Sequence, residues 1–189
     1  MEREISDRTI LDKFAENFCR VIEKYAKYFV CSGFVSIAHG RSRSTEDIDL
    51  IFEKISKEKF IKMHEDLDKA DFMCVQSDNP EIIYEDYLDN RISVRYVKKS
   101  EGMFPPEMEI KFIKDELDEE QLRERTKFPL TGLDIYFSSI ESNIAFKEEF
   151  LKSEKDLEDA KHLRLIYKDK LDENKISKIK KKIKFLRGV

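Results

Sequence analysis

The chain has 189 residues, 40% of them hydrophobic and 40% charged, with a formal net charge of -4. That length suffices for one domain with a core, or for a small catalytic domain with a helical annex, and a charged fraction far above the roughly 25% of an average chain implies helices with solvated, ion-paired faces. No run approaches the ~18 apolar residues of a membrane span, and the polar N-terminus MEREISDRTI lacks the apolar stretch of a secretory signal, so a soluble, cytoplasmic protein is expected with no membrane partner.

Residues 9–27 place Ile10, Leu11, Phe14, Phe18, Val21, Ile22 and Tyr25 at helical spacing. Tyr28 to Cys31 reads as a short strand ended by Ser32-Gly33, and residues 34–40 as a short helix closed by Gly40. After the polar loop RSRSTE, the segment DIDLIFEK alternates as a strand requires, with Asp47, Asp49 and Ile51 on one face and Ile48, Leu50 and Phe52 on the other. Ser56 caps a helix to about Ala70. Strands are predicted over 72–76, 91–99 and 108–115, and the stretch NPEIIYEDYLDN between the first two reads as either strand or helix. A helix over 116–125 and a short strand over 132–138 follow. The rest is helical, over 139–152, 154–168 and 173–186, the last with the stripe Ile176, Ile179, Ile183 and Leu186. The prediction is an α+β fold: a small mixed sheet flanked by helices over residues 1–138, then a C-terminal helical subdomain, 139–189, packed on it.

Charge and cysteine usage add two expectations. Residues 151–189 carry 13 Lys and Arg against 7 Asp and Glu, a balance of +6, which leaves -10 for the remainder. A basic tail on an acidic body binds either the body or a nucleic acid; the lysines 178, 180, 181, 182 and 184 are read first as the solvated face of a packed helix. Cys19, Cys31 and Cys74 are widely spaced and odd in number, and read as reduced, mostly buried thiols.

The residues that carry chemistry centre on Asp47 and Asp49. Two apart on a strand, their carboxylates project from one face, where they repel or are bridged by a cation, and hard oxygen donors select Mg²⁺ or Mn²⁺. By itself the pair is also the pattern of a solvent-facing strand. Upstream, Ser32 and Gly33 lead from a strand into a helix, whose N-terminal amides can take a phosphate. Arg41, Arg43 and Thr45 lie between that turn and the pair, and an arginine there can fork onto a phosphate.

The stretch SGFVSIAHGRSRSTEDIDL resembles the signature of the DNA polymerase β-type nucleotidyltransferase superfamily, and within it the branch with an R-x-T-x-D-I-D motif, which includes the nucleotidyltransferase-like toxins of abortive-infection systems. Arg43, Thr45, Asp47, Ile48 and Asp49 match that motif, while Ser32 stands where the family usually has a glycine. SNIAFKEEFLKSEKDLEDAKHL resembles the branch's distal motif, with Lys147, Lys155, Asp156 and Asp159 in its positions; read without the resemblance, it is an ordinary charged helix face in which Lys155 could pair with Asp159. The resemblance implies a nucleotidyltransferase fold and a third carboxylate on a later strand, for which Glu109 is the candidate, with Lys111 on the same face competing for it.

What the resemblance implies is transfer of an NMP from an NTP, with Mg²⁺ or Mn²⁺ held by Asp47, Asp49 and Glu109. It further implies a nucleotide bound through Ser32, Gly33, Arg41, Arg43, Thr45, Lys147, Lys155, Asp156 and Asp159, the lysines neutralising outer phosphates. The acceptor, an RNA, a protein or a small molecule, is not legible, and a toxin–antitoxin role would add an antitoxin-type partner. A different class stays open: a nucleotide-binding or scaffolding protein of the same fold without turnover. His39 reads as a helix-end residue, His162 as surface, and Tyr84 and Tyr87 as packing rather than base-stacking groups.

Overall fold

Thr9 starts the first helix by accepting from the Asp12 amide while the Asp12 carboxylate accepts from the Thr9 amide, a reciprocal cap that satisfies two otherwise unpartnered donors. The computed structural model describes residues 9–42, 47–100 and 106–188. Helix α1 spans Ile10–Ile22, shorter than the spacing predicts, because the chain turns through residues 23–25 to enter the sheet.

Strands β1 (Tyr28–Cys31), β2 (Asp47–Phe52), β3 (Phe72–Cys74), β4 (Val94–Lys98) and β5 (Glu107–Phe112) form one sheet in the order β1-β2-β5-β4-β3. The central pair β2–β5 is parallel and the flanking pairs are antiparallel, the mixed sheet that the sequence predicts. One face carries Tyr28, Val30, Ile48, Leu50, Phe52, Tyr96, Met108 and Ile110, all but inaccessible, against α1 and α3 (Lys57–Lys69). Phe18 of α1 meets Phe72 and Tyr96 edge-on at 5.0 and 5.5 Å between ring centroids. The other face is half covered: helix α5 (Glu116–Arg123) buries Leu122 against Phe29 and Ile51, and Asp49, Glu109 and Lys111 lie beyond it.

Helix α2 (Gly33–Ala38) follows β1, and α3 is capped by Ser56 as predicted. The ambiguous NPEIIYEDYLDN is helical: α4 (Pro80–Ile82) runs into a π-helical turn, Ile83–Leu88, with Asn79 as cap and Pro80 in the first turn, where its missing N–H is not needed. Tyr84 is buried and donates to the Ile55 carbonyl at 2.8 Å, which makes it a core residue.

The strand predicted over 132–138 does not form. Phe137 makes single bridges to Val30 and Thr126, and its ring packs near Phe34 and Phe128. Ser139, two residues on, already caps helix α6 (Ile140–Phe146), leaving no length for a ladder. A π-helical turn (Lys147–Leu151), α7 (Glu154–Tyr167) and α8 (Glu173–Arg187) complete the fold. In α8, Ile176, Ile179 and Ile183 are buried as predicted, but Leu186 faces out and Arg187 takes the fourth inward place, where Asp115 accepts from its Nη2 at 2.9 Å. The basic α8 is clasped to acidic neighbours: Lys182 donates to Glu120 at 2.8 Å, Lys175 pairs with Glu124 at 2.7 Å and Lys180 with Glu148 at 2.6 Å. No described helix is long and apolar enough to cross a membrane. Cys19 and Cys74 are buried and Cys31 partly so; all three are free thiols, and burial pushes each above the usual thiol range.

Two buried imidazoles tie layers together. His39 Nδ1 lies 2.6 Å from the Val35 carbonyl, which can only accept; Nδ1 therefore donates, and the neutral ring's Nε2 accepts from the Tyr167 hydroxyl at 2.8 Å. His162, read from sequence as surface, bonds the His39 carbonyl through Nε2 at 3.1 Å and helps seat α7. His64 Nδ1 lies 2.8 Å from the Tyr96 hydroxyl. Burial holds both His39 and His64 below the ordinary imidazole range, which centres on 6.5. The unfolded chain thus takes up protons on acidification before the folded chain does, so this stability is complete above pH 6.5 and lost as pH falls below it. The urea midpoint should be lower at about pH 5.5 than at about pH 7.5, and His64→Gln should shrink that difference; an undiminished difference would refute the assignment.

Candidate active site

The alternation of β2 turns Asp47 and Asp49 away from the main core, and the parallel register sets Asp47 beside Glu107 and Asp49 beside Glu109. Arg95 of β4 stands opposite Glu109, and Cys31 of β1 opposite Asp49. One face thus gathers four carboxylates and two cations. Lys111 Nζ lies 3.8 Å from Asp49 and 3.9 Å from Glu109; Arg95 lies 3.9 Å from Glu109 and 3.6 Å from Glu107. The competition of Lys111 for Glu109 is as the shared strand face predicts. Arg95 and Glu107 escape sequence reading, because cross-strand pairing is not written in local spacing.

Burial pushes the Asp49 carboxyl above the usual carboxylate range, and the negative charges of Glu109 and Asp47 add to that; Lys111 and a hydrogen bond from the Ser32 hydroxyl pull it back. A partly desolvated carboxylate beside like charges is a place that favours a cation. Asp47 and Asp49 fit a divalent ion as hard oxygen donors on one face. Glu109 faces Lys111 and Arg95, and among the described residues no three His, Cys, Asp or Glu side chains converge as a ligand set.

Ser32, between β1 and α2, has φ 65° and ψ -136°, a conformation that favours glycine. Serine is tolerated here under strain, which is the physical content of its departure from the family glycine. Gly33 is buried as the first residue of α2. Arg43 and Thr45 lie outside the described residues.

The distal patch forms a buried ion-pair cluster. Lys147 is 1% exposed, and its Nζ donates to Asp159 at 2.7 Å and to Asp156 at 3.4 Å. Arg41 donates to the carboxylates of Asp159 and Glu158 and to the Lys155 carbonyl, the last at 3.2 Å. Asp159 is thus held by Arg41 and Lys147 rather than by its helical neighbour Lys155, whose side chain is exposed. The i, i+3 spacing of Asp156 and Asp159 turns both inward, but only the tertiary structure shows that Lys147 and Arg41 meet them.

Between the sheet face and the helical layer lies a cavity of about 150 Å³. Ser32, Asp49 and Lys111 line it from the sheet, and Lys147, Asn143 and Arg187 from the helices. It brings Lys147 into one space with Asp49, which the linear sequence separates by nearly a hundred residues.

No family model matches the sequence, and no curated protein does. Among solved structures the chain is similar to the antibiotic-resistance factor ANT(2'')-Ia, at a TM-score of 0.57 and 14% identity, over 94% of this chain and 92% of that one. The likeness spans the sheet and the helical layer alike, and the fold is that of a nucleotidyltransferase.

Two substitutions test the site's construction by urea unfolding. Ser32→Gly should raise stability by about 1 kcal/mol by relieving the strained backbone. Lys147→Met should lower it by about 3–5 kcal/mol, because it leaves buried carboxylates short of a counter-charge; a loss under about 1 kcal/mol would refute the buried-pair reading.

Proposed function

We propose that the chain is a metal-dependent nucleotidyltransferase that moves an NMP from an NTP to a hydroxyl of an RNA, a protein or a small molecule. The observation that carries the reading is the Asp47/Asp49 pair on the open face of β2, beside the Ser32-Gly33 turn, in a nucleotidyltransferase fold. The R-x-T-x-D-I-D resemblance supports the finer reading of a toxin–antitoxin component with an antitoxin-type partner. The likeness to an antibiotic-resistance factor keeps a small molecule among the acceptors to be assayed.

Asp47 and Asp49 would hold Mg²⁺ or Mn²⁺, which when bound offsets the charge of the triphosphate. The acceptor oxygen attacks the α-phosphorus, the bond to the bridging oxygen breaks, and pyrophosphate leaves. Glu109, on the neighbouring strand, takes the hydroxyl proton as the new bond forms. Lys111, beside Asp49 and Glu109, provides positive charge next to the transferred phosphoryl group. Arg41 is fixed by Asp159 and Glu158, so its part is to hold the end of α2 against α7.

A second reading, nucleotide binding without transfer, is favoured by one observation: the Lys111 ammonium stands between Asp49 and Glu109, where it is an internal counter-ion. Incubation with each α-labelled NTP, both metals and a panel of RNA, protein and small-molecule acceptors separates the two. Wild type should transfer label, and Asp47→Ala and Asp49→Ala should reduce transfer to background. Binding of NTP with no transfer under any combination would establish the second reading instead.

A further inference from the structure

Lys111 follows Glu109 by two positions on β5, so both side chains stand on the open face of the sheet. The register sets Glu109 beside Asp49 and Lys111 beside Ile51. From there the ammonium reaches back along its own strand and across to β2, to 3.9 Å from Glu109 Oε1 and 3.8 Å from Asp49 Oδ1. Such equal distances place the charge between the two carboxylates, and among the described residues no other cation pairs with both. The second oxygen of Glu109, Oε2, faces Arg95 Nε at 3.9 Å. Both oxygens of Glu109 therefore answer to protein cations.

Phosphoryl-transfer sites that use two divalent ions hold them about 3.5–4 Å apart, as a clamp on the attacking and leaving oxygens. A second ion shared by Asp49 and Glu109 would need oxygens at about 2.1 Å, in the space between the carboxylates that Lys111 covers. There it would meet the ammonium, with Arg95 on the far side of Glu109, and like charges repel strongly at such range in a partly desolvated site. An ion held by Asp47 and Asp49 needs no oxygen of Glu109. An ammonium is itself a compact point charge on a flexible stem, suited to offset developing negative charge.

We propose that the Lys111 ammonium stands in for a second divalent ion, so that the chain binds a single Mg²⁺ or Mn²⁺, at Asp47 and Asp49. The proposal rests on the metal-dependent reading above. Glu109 is then a base paired with protein cations rather than a metal ligand, which corrects the part that the family resemblance gives it. The ammonium that the second reading treats as a blocking counter-ion becomes a permanent part of the working site. Lys111 thereby sets how many ions the site takes, and its removal opens the space between Asp49 and Glu109 to another.

Counting Mn²⁺ on the full chain by paramagnetic resonance tests this, alone and with each of the four α,β-methylene nucleoside triphosphates, whose α–β bridge does not break. Wild type should bind about one Mn²⁺ per chain and Lys111→Met about two, close enough to couple in the spectrum. The second ion should bind Lys111→Met at least about tenfold more tightly than wild type. Lys111→Arg, which keeps the charge, should stay at about one ion. If Lys111→Met fails to fold, Lys111→Gln replaces it, and the wild-type count still decides. Two tightly bound ions in wild type, or a single ion that persists without the ammonium, overturns the inference and leaves the metal-dependent reading intact. If wild type binds no more Mn²⁺ than Asp47→Asn does, the metal site itself fails, and the inference with it.

Discussion

The buried carboxylate of Asp159 is shared between two cations from distant parts of the chain, Lys147 on the π-helical turn and Arg41 after α2. A charge removed from water in this way is tolerable only when its counter-charges are fixed around it. Each member therefore constrains the others: α7 cannot move from α6 without exposing Asp159 to an apolar surrounding, and Arg41 cannot swing away without leaving it undercompensated. Since Arg41 follows α2, which packs on β2, the helical layer and the Asp47/Asp49 strand are held in one frame. His39 and His162 reinforce the seat, bonding α2 to α7 through Tyr167 and the His39 carbonyl.

The rest of the electrostatics follows the same logic of paired layers. Lys175, Lys180 and Lys182 of α8 meet Glu124, Glu148 and Glu120, so these cations of the basic tail answer the acidic body within the molecule. On the sheet face the balance is different. Asp47, Asp49, Glu107 and Glu109 crowd one surface with Lys111 and Arg95 among them, and burial raises the Asp49 carboxyl. Clustered like charges are unfavourable for stability, and here Lys111 and Arg95 offset part of that repulsion.

Much of this was legible in the chain. Amphipathic spacing placed α1, α3 and α8, because a 3.6-residue period records which face is buried. The alternation of DIDLIF recorded that Asp47 and Asp49 share a face. Where the reading failed, a competing local or tertiary effect won. Residues 132–138 have strand composition but make single bridges only, since Ser139 claims the next position as a helix cap. Leu186 continues the α8 stripe on paper, yet Arg187 takes the inward place because Asp115 and Asp118 wait there.

The amino-acid sequence by itself determined the kinds of element, the pairing of Asp47 with Asp49 on one strand face, the departure at Ser32 and the competition between Lys111 and Glu109. All of these depend on residues within a few positions of one another, where backbone periodicity fixes relative direction. Only the tertiary structure decided that Asp49 lies beside Glu109, that Asp159 joins Lys147 to Arg41 rather than to Lys155, that Ser32 sits at positive φ, and that Gln121 and Arg187 line the same cavity as Asp49. Those facts depend on strand register and on the docking of helices, which the summed burial of the whole chain sets and no short segment encodes.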